Sequence, residues 1–177
     1  MLEIVLIAIA VIIVALVVVV ALQPAAFRVE RSIAIAAPPA AVFAQVNDYR
    51  NWRPWSPYEK LDPDMKRSYE GPSAGTGAIY SWAGNKNAGE GRATIIESRP
   101  GERIRIKLEF KKPFEATNTA EFTFKPEGDR TLVTWSLAGE RNFFFKAVHL
   151  FMNVDKMVGG QFDEGLAALK AVAEGVR

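Results

Sequence analysis

The chain has 177 residues, a formal net charge of +2, one histidine and no cysteine. Those counts exclude a disulfide scaffold, a Cys-rich metal site and a paired-histidine metal site. The 22 basic and 20 acidic side chains are intermixed, so there is no concentrated basic face of the kind nucleic-acid binding needs.

Residues Ile4 to Leu22 are nineteen consecutive Ile, Val, Leu and Ala. As a helix the run spans about 28 Å, close to the roughly 30 Å hydrocarbon core of a bilayer. It predicts a single transmembrane helix, with residues 1–24 as anchor and short hinge and 25–177 as one soluble domain. A cleaved signal peptide is the alternative, and Ala21 to Ala26 loosely mimics a cleavage site. Against it, Met1-Leu2-Glu3 carries no basic residue and the run exceeds a usual signal core. Arg28 and Arg31 follow the span and no base precedes it, which predicts a cytoplasmic domain.

Phe27, Val29, Ile33 and Ile35 alternate with polar or small residues and predict a first strand. Ala37-Pro38-Pro39 stops it, and Ala40 to Val46 follows as a short helix that Asn47 and Asp48 end. Tyr49 to Lys60 is aromatic and broken by proline, predicting a short helix and a loop. Strands are then predicted at Met65 to Gly71, Ala78 to Ala83, Gly91 to Ser98, Glu102 to Lys111, Glu115 to Lys125 and Thr131 to Ala138. The turn chemistry of Gly84-Asn85-Lys86-Asn87, Pro100-Gly101 and Glu127-Gly128-Asp129 separates five of them. Ile104, Ile106, Leu108 and Phe110 face opposite Arg103, Arg105, Lys107 and Glu109, which predicts an antiparallel sheet with one wet face. From Phe144 to Leu169 the apolar period changes to three and four, predicting one long amphipathic helix kinked at Gly159-Gly160. That helix is the available cover for the buried sheet face.

This order resembles the helix-grip fold. Its pieces are similar to the SRPBCC superfamily of START-like, birch-pollen-allergen-like and polyketide cyclase/dehydrase-type proteins. They are Arg31-Ser-Ile-Ala-Ile, Ala37-Pro-Pro, Val46-Asn-Asp48, Trp52-Arg-Pro-Trp55-Ser-Pro, Gly75-Thr-Gly-Ala-Ile-Tyr80-Ser-Trp82, Gly89-Glu-Gly91, Lys112-Pro-Phe114 and Val133-Thr-Trp135. The resemblance implies an α+β helix-grip fold, a curved antiparallel sheet wrapped around a long C-terminal helix, here preceded by the single transmembrane helix. It also implies a cavity for hydrophobic ligands, and it leaves function open between carriers, receptors and cyclases.

No catalytic constellation is present in the residues. His149 lies among Val148, Leu150 and Phe151, and no GxSxG elbow accompanies it, so it reads as a partly buried helix histidine. Gly75-Thr76-Gly77 lacks a third glycine and leads into a strand, so it reads as a turn rather than a dinucleotide site. Glu97 and Glu109 read as a solvated strand face. Trp52, Trp55 and Tyr58 either gate a cavity or plug the end of the core. Asp155 falls on the apolar stripe of Phe151, Val158 and Phe162, where it must pair with an arginine, turn outward or face a cavity. The candidate ligand-binding residues are Trp55, Tyr80, Trp82, Phe110, Phe122, Trp135, Asp155 and Phe162. No catalytic residue, metal or cofactor is expected. The leading expectation is membrane-anchored binding of a lipid or another hydrophobic small molecule. The alternatives are a cyclase/dehydrase-like enzyme using Tyr80 or Asp155, and a protein-interaction or chaperone-adaptor module.

Overall fold

The computed structural model describes residues 1–175, so 176 and 177, the last two of the expected soluble domain, lie outside the described residues. Helix α1 covers Leu2–Leu22 and is long and apolar enough to cross a membrane by length and composition. Of its residues only Val20 is buried in the protein. Strand β1 (Ala26–Ile35) starts four residues after α1 ends. Helix α2 (Pro39–Asn47) and two 3₁₀ turns, Tyr49–Trp52 and Pro57–Lys60, come next. Six strands follow: β2 (Lys66–Glu70), β3 (Ile79–Ala83), β4 (Glu90–Arg99), β5 (Arg103–Lys112), β6 (Ala116–Glu127) and β7 (Arg130–Glu140). The chain then forms α3 (Phe143–Phe151) and α4 (Val154–Ala173).

All seven strands form one antiparallel sheet in the order β1-β7-β6-β5-β4-β3-β2. Helix α4 packs along β1 and touches β7, α2 and the second 3₁₀ turn. This is the helix-grip architecture. The period of two in β5 explains its part. Ile104 and Ile106 are fully buried, while Arg103 and Arg105 bond or pair with Glu97 and Glu121 on the outer face. Opposite charges facing one another across strands stabilise that wet face modestly. Helix α2 begins on Pro39, whose missing N–H costs nothing in a first turn, and it buries Val42, Phe43 and Val46.

The C-terminal region corrects the expectation of one helix kinked at Gly159-Gly160. The chain breaks earlier, at Met152-Asn153, and makes two helices. The reason is capping. Asn142 accepts from the Phe145 N–H to start α3, and Asn153 accepts from the Lys156 N–H to start α4. Both glycines then lie inside α4. Gly159 is buried against the Arg31 guanidinium, which occupies the place a Cβ would take.

Gly165 does the same for the core. A Cβ there would stand 2.8 Å from the Trp135 ring and 2.9 Å from Pro57 Cδ. Gly165→Ala is therefore expected to lower stability by about 1–3 kcal/mol, the usual cost of overpacking. A calorimetric melt of the full chain checks this, and an unchanged melting temperature would show that α4 does not seat so closely.

The register separates two rims of the sheet. Ala26, Ala83, Glu90, Lys112, Ala116 and Glu140 share one rim, and it is the rim at which α1 joins the domain. The far rim carries the Gly101 and Gly128 turns. Toward the far rim the interior is solid, with Ile95, Ile104, Phe122 and Val133 fully buried beneath α2 and α4.

Candidate functional site

Toward the α1 rim the interior is hollow. A cavity of about 250 Å³ lies between the sheet, the second 3₁₀ turn and α4. Its wall is formed by Tyr80 and Trp82 of β3, Ala93 of β4, Leu108 and Phe110 of β5, Ala120 of β6, and Trp135 and Leu137 of β7. Val158, Gln161 and Phe162 of α4 close one side, and Ser56, Tyr58, Glu59, Leu61 and Met65 close another. The volume falls just under the roughly 300–1,000 Å³ of small-molecule pockets, so it suits a compact ligand or one segment of a longer one.

Small residues open this space. Ala93 and Ala120 stand where larger side chains would fill it. Gly91 also leaves room for the Trp82 indole, whose ring atoms would lie 2.5–2.6 Å from a Cβ. Trp82 then donates to the Ala88 carbonyl at 3.0 Å and stacks on Tyr80. On the other side Phe162 of α4 lies flat on Trp135, with ring centres 4.1 Å apart and planes 10° apart, and Trp135 stacks on Phe122. That stack is where α4 grips the sheet.

One wall is polar. Tyr80 Oη donates to Glu59 Oε1 at 2.6 Å, and Arg67 Nε donates to Glu59 Oε2 at 2.8 Å. The Glu59 side chain is 6% exposed and that of Arg67 16%. Both carboxylate oxygens are thus engaged, and a buried charge is tolerable because it is paired and hydrogen-bonded. Burial, then the bond to Glu59, pushes the Tyr80 phenol far above its ordinary range, so it stays protonated at neutral pH.

Two further polar atoms at the cavity are unmatched. The Trp52, Trp55 and Trp82 indoles each donate to a backbone carbonyl. Trp135 Nε1 has no partner, nor has the Ser56 hydroxyl, and both residues are buried. Buried donors are nearly always satisfied in folded proteins, so two orphans on residues that line one hollow stand out.

The structure brings Tyr80, Trp82, Phe110, Trp135 and Phe162 together around the cavity. It places Trp55 and Phe122 behind the wall, where both are fully buried in aromatic packing. Trp52 also plugs the core, although its ring edge reaches the cavity, whereas Tyr58 is a true wall residue. Asp155 is a correction to the expected set. It lies outside the cavity, 62% exposed, bonded at 2.9 Å to Arg31 of β1, and that bond holds its carboxyl below the usual range. The α3–α4 break turns this first turn of α4 outward. Among the described residues no group of three His, Asp or Glu side chains converges as metal ligands would.

His149 lies outside the sheet. Its Nδ1 is 3.1 Å from an Arg141 nitrogen, and a guanidinium can only donate, so Nδ1 accepts. Burial, and secondarily the Arg141 charge, lowers its pKa and keeps it neutral. It borders a second hollow of about 570 Å³, which opens directly to the surface among the exposed Leu150, Phe151 and Met152.

The family described as polyketide cyclase/dehydrase and lipid transport matches residues 26–174. The chain belongs to this family. Its members' fold recurs in solved structures. A Thermobifida fusca protein solved by NMR gives a TM-score of 0.61 at 23% identity, over 85% of this chain and 95% of that one. The Aha1 dimer from Colwellia psychrerythraea gives 0.62 at 12% identity, over 85% and 98%. DynU16, from the dynemicin biosynthetic locus, gives 0.58 at 14% identity, over 84% of this chain and 48% of that longer one. At these identities the likeness is one of fold. No curated protein matches the sequence.

Membership of the polyketide cyclase/dehydrase and lipid transport family, with this fold, suggests a hydrophobic ligand-binding or cyclase-like domain. Sequence reasoning missed Glu59, Arg67 and Ser56 within it. One signal was available. The alternation of β2 puts Arg67 on the same inward face as Met65 and Tyr69, and an inward arginine demands a buried acid.

Proposed function

We propose that the chain is a membrane-anchored binder of a lipid segment or another hydrophobic small molecule carrying one polar group. Helix α1 is the anchor, and the cavity between sheet and α4 is the site. The observation that carries this reading is a largely apolar hollow whose lining residues include Trp135 and Ser56, each with a buried polar atom, Nε1 and Oγ, that has no partner. Burial of the ligand's apolar surface supplies the driving force, at about 25 cal/mol per Å². The unmatched donors and the Glu59–Tyr80 pair fix its orientation. The domain lies on the cytoplasmic side, because Arg28 and Arg31 follow α1 in the chain, Arg141 and Lys146 bond to the chain at its end, and no base precedes it.

The test is native mass spectrometry of the full chain in nanodiscs against a panel of lipids and small apolar carbonyl compounds. At least one class is expected to be retained. The paired substitution Ala93→Leu with Ala120→Leu fills the hollow from the sheet and is expected to abolish retention while raising the melting temperature. Retention unchanged by this filling would place the ligand elsewhere.

A second reading, a cyclase/dehydrase-like enzyme, is favoured by one feature. Tyr80 is a protonated phenol at the cavity wall whose one proton is donated to Glu59, so it could donate to a substrate carbonyl only by leaving that carboxylate. It lacks a free base, since both Glu59 oxygens are taken. Turnover of a polyketide-like substrate that disappears in Tyr80→Phe would support this reading.

A further inference from the structure

Six exposed apolar side chains gather where α1 leaves off. Beyond α1, eight large hydrophobic residues are exposed among the described residues, and all except Ile96 and Met157 belong to α3, to the chain just after it, or to the β5–β6 loop. Phe143 and Phe144 are each more than half exposed and Phe151 three-quarters. Phe114, in the β5–β6 loop, is 54% exposed and meets the rings of Phe144 and Phe145 at 5.6 and 5.8 Å. Exposed apolar patches of this kind mark a partner or a membrane.

The neighbours of the patch say which. Helix α3 packs against α1, and Lys146 Nζ of α3 lies 3.4 Å from the Ala21 carbonyl in the last turn of α1. The patch is therefore continuous with the apolar span. Its charges have the sign that suits anionic headgroups. Arg141 and Lys146 pair with no carboxylate among the described residues, whereas Lys111 and Lys112, just before Phe114, share Glu90 and leave one net positive charge there. Aromatic and basic side chains together are the composition of the membrane–water boundary. The same rim of the sheet holds the near end of the cavity, at Ala88, Phe110 and Leu137.

We infer that α3 and the Phe114 loop are seated in the headgroup–acyl boundary beside α1, so that the cavity's near end faces the bilayer and exchanges its ligand with the lipid phase. This rests on the reading of α1 as a membrane span.

The chain has no cysteine, which allows single-site labelling of the full-length protein. The variants are Phe114→Cys, Phe144→Cys and Phe151→Cys, with Val11→Cys in α1 and Asp129→Cys on the far rim as references. Each carries an environment-sensitive fluorophore and is reconstituted in phosphatidylcholine–phosphatidylglycerol vesicles. The expected result is a blue shift at 114, 144 and 151, with quenching by headgroup-attached spin labels. Val11 is expected to be quenched by labels at the acyl-chain ends and Asp129 by neither. If Val11 is quenched at depth while 114, 144 and 151 behave like Asp129, the interfacial seat is overturned and the span survives. If Val11 is not quenched at depth, the span itself fails. Shielding at 114 and 144 without lipid quenching, accompanied by label–label transfer, would assign the patch to a second copy of the chain and overturn the inference.

Discussion

Glu59→Ala is expected to lower the stability of the domain by about 3–5 kcal/mol, the cost of stranding a buried charge. At this size that is a fall in melting temperature of roughly 6–20 °C. The carboxylate holds Arg67 with one oxygen and the Tyr80 hydroxyl with the other. Its removal leaves a guanidinium in a place with little access to water. Tyr80→Phe removes only a hydrogen bond to a charged acceptor and is expected to cost about 1.5–3 kcal/mol. Replacing both ions by apolar groups, in Glu59→Leu with Arg67→Met, is expected to recover most of the loss, because neither charge is then unpaired. Calorimetry of the three variants decides the matter. A Glu59→Ala loss smaller than that of Tyr80→Phe would mean the pair is hydrated in solution.

Trp135→Ala is expected to match that loss, at about 3–5 kcal/mol, because it removes a large buried ring and leaves a void. The indole is the middle layer between Phe162 of α4 and Phe122 of β6, and Trp55 and Tyr58 meet its edge. Trp135→Phe separates packing from recognition. It keeps an aromatic layer and deletes the unpartnered N–H. Stability is expected to change little, since the deleted donor contributes no bond in the empty protein. Affinity for a ligand with a polar acceptor is expected to fall about tenfold, the equivalent of about 1.4 kcal/mol. Titration of the ligand identified by native mass spectrometry reads this directly. Equal affinity in Trp135→Phe and the parent would remove Trp135 Nε1 from the recognition scheme.

Much of the fold was legible because its signals are local. The alternation of Ile104, Ile106 and Leu108 with Arg103, Arg105 and Lys107 states which face of β5 is wet, and Pro39 states where α2 begins. The α3–α4 break was written in the chain too, as Asn153, but the apolar period runs on through it from Phe151 to Val158 and hides the cap. The site was half legible. Aromatic strand residues such as Tyr80, Trp82 and Trp135 announce themselves by type. Glu59, Arg67 and Tyr80 form one cluster across sequence gaps of eight and twenty-one residues, and only the pairing of β2 with β3 and the turn at Pro57 bring them together. Asp155 does share a helical stripe with Val158 and Phe162 in α4, but it sits in the first turn, where Arg31 of β1 holds it outside the cavity.

The connection between α1 and β1 is short and restrained. Arg141 donates through its guanidinium to the carbonyls of Pro24 and Ala26, and its backbone N–H donates to that of Ala25. Three fully extended residues reach only about 10 Å, and these three are held in place. An anchored domain tethered this way has no radius in which to roam. On the proposed reading of α1 as an anchor, ferrying cargo across an aqueous gap to a second membrane is closed to it, and an acceptor would have to travel to the bilayer that holds α1.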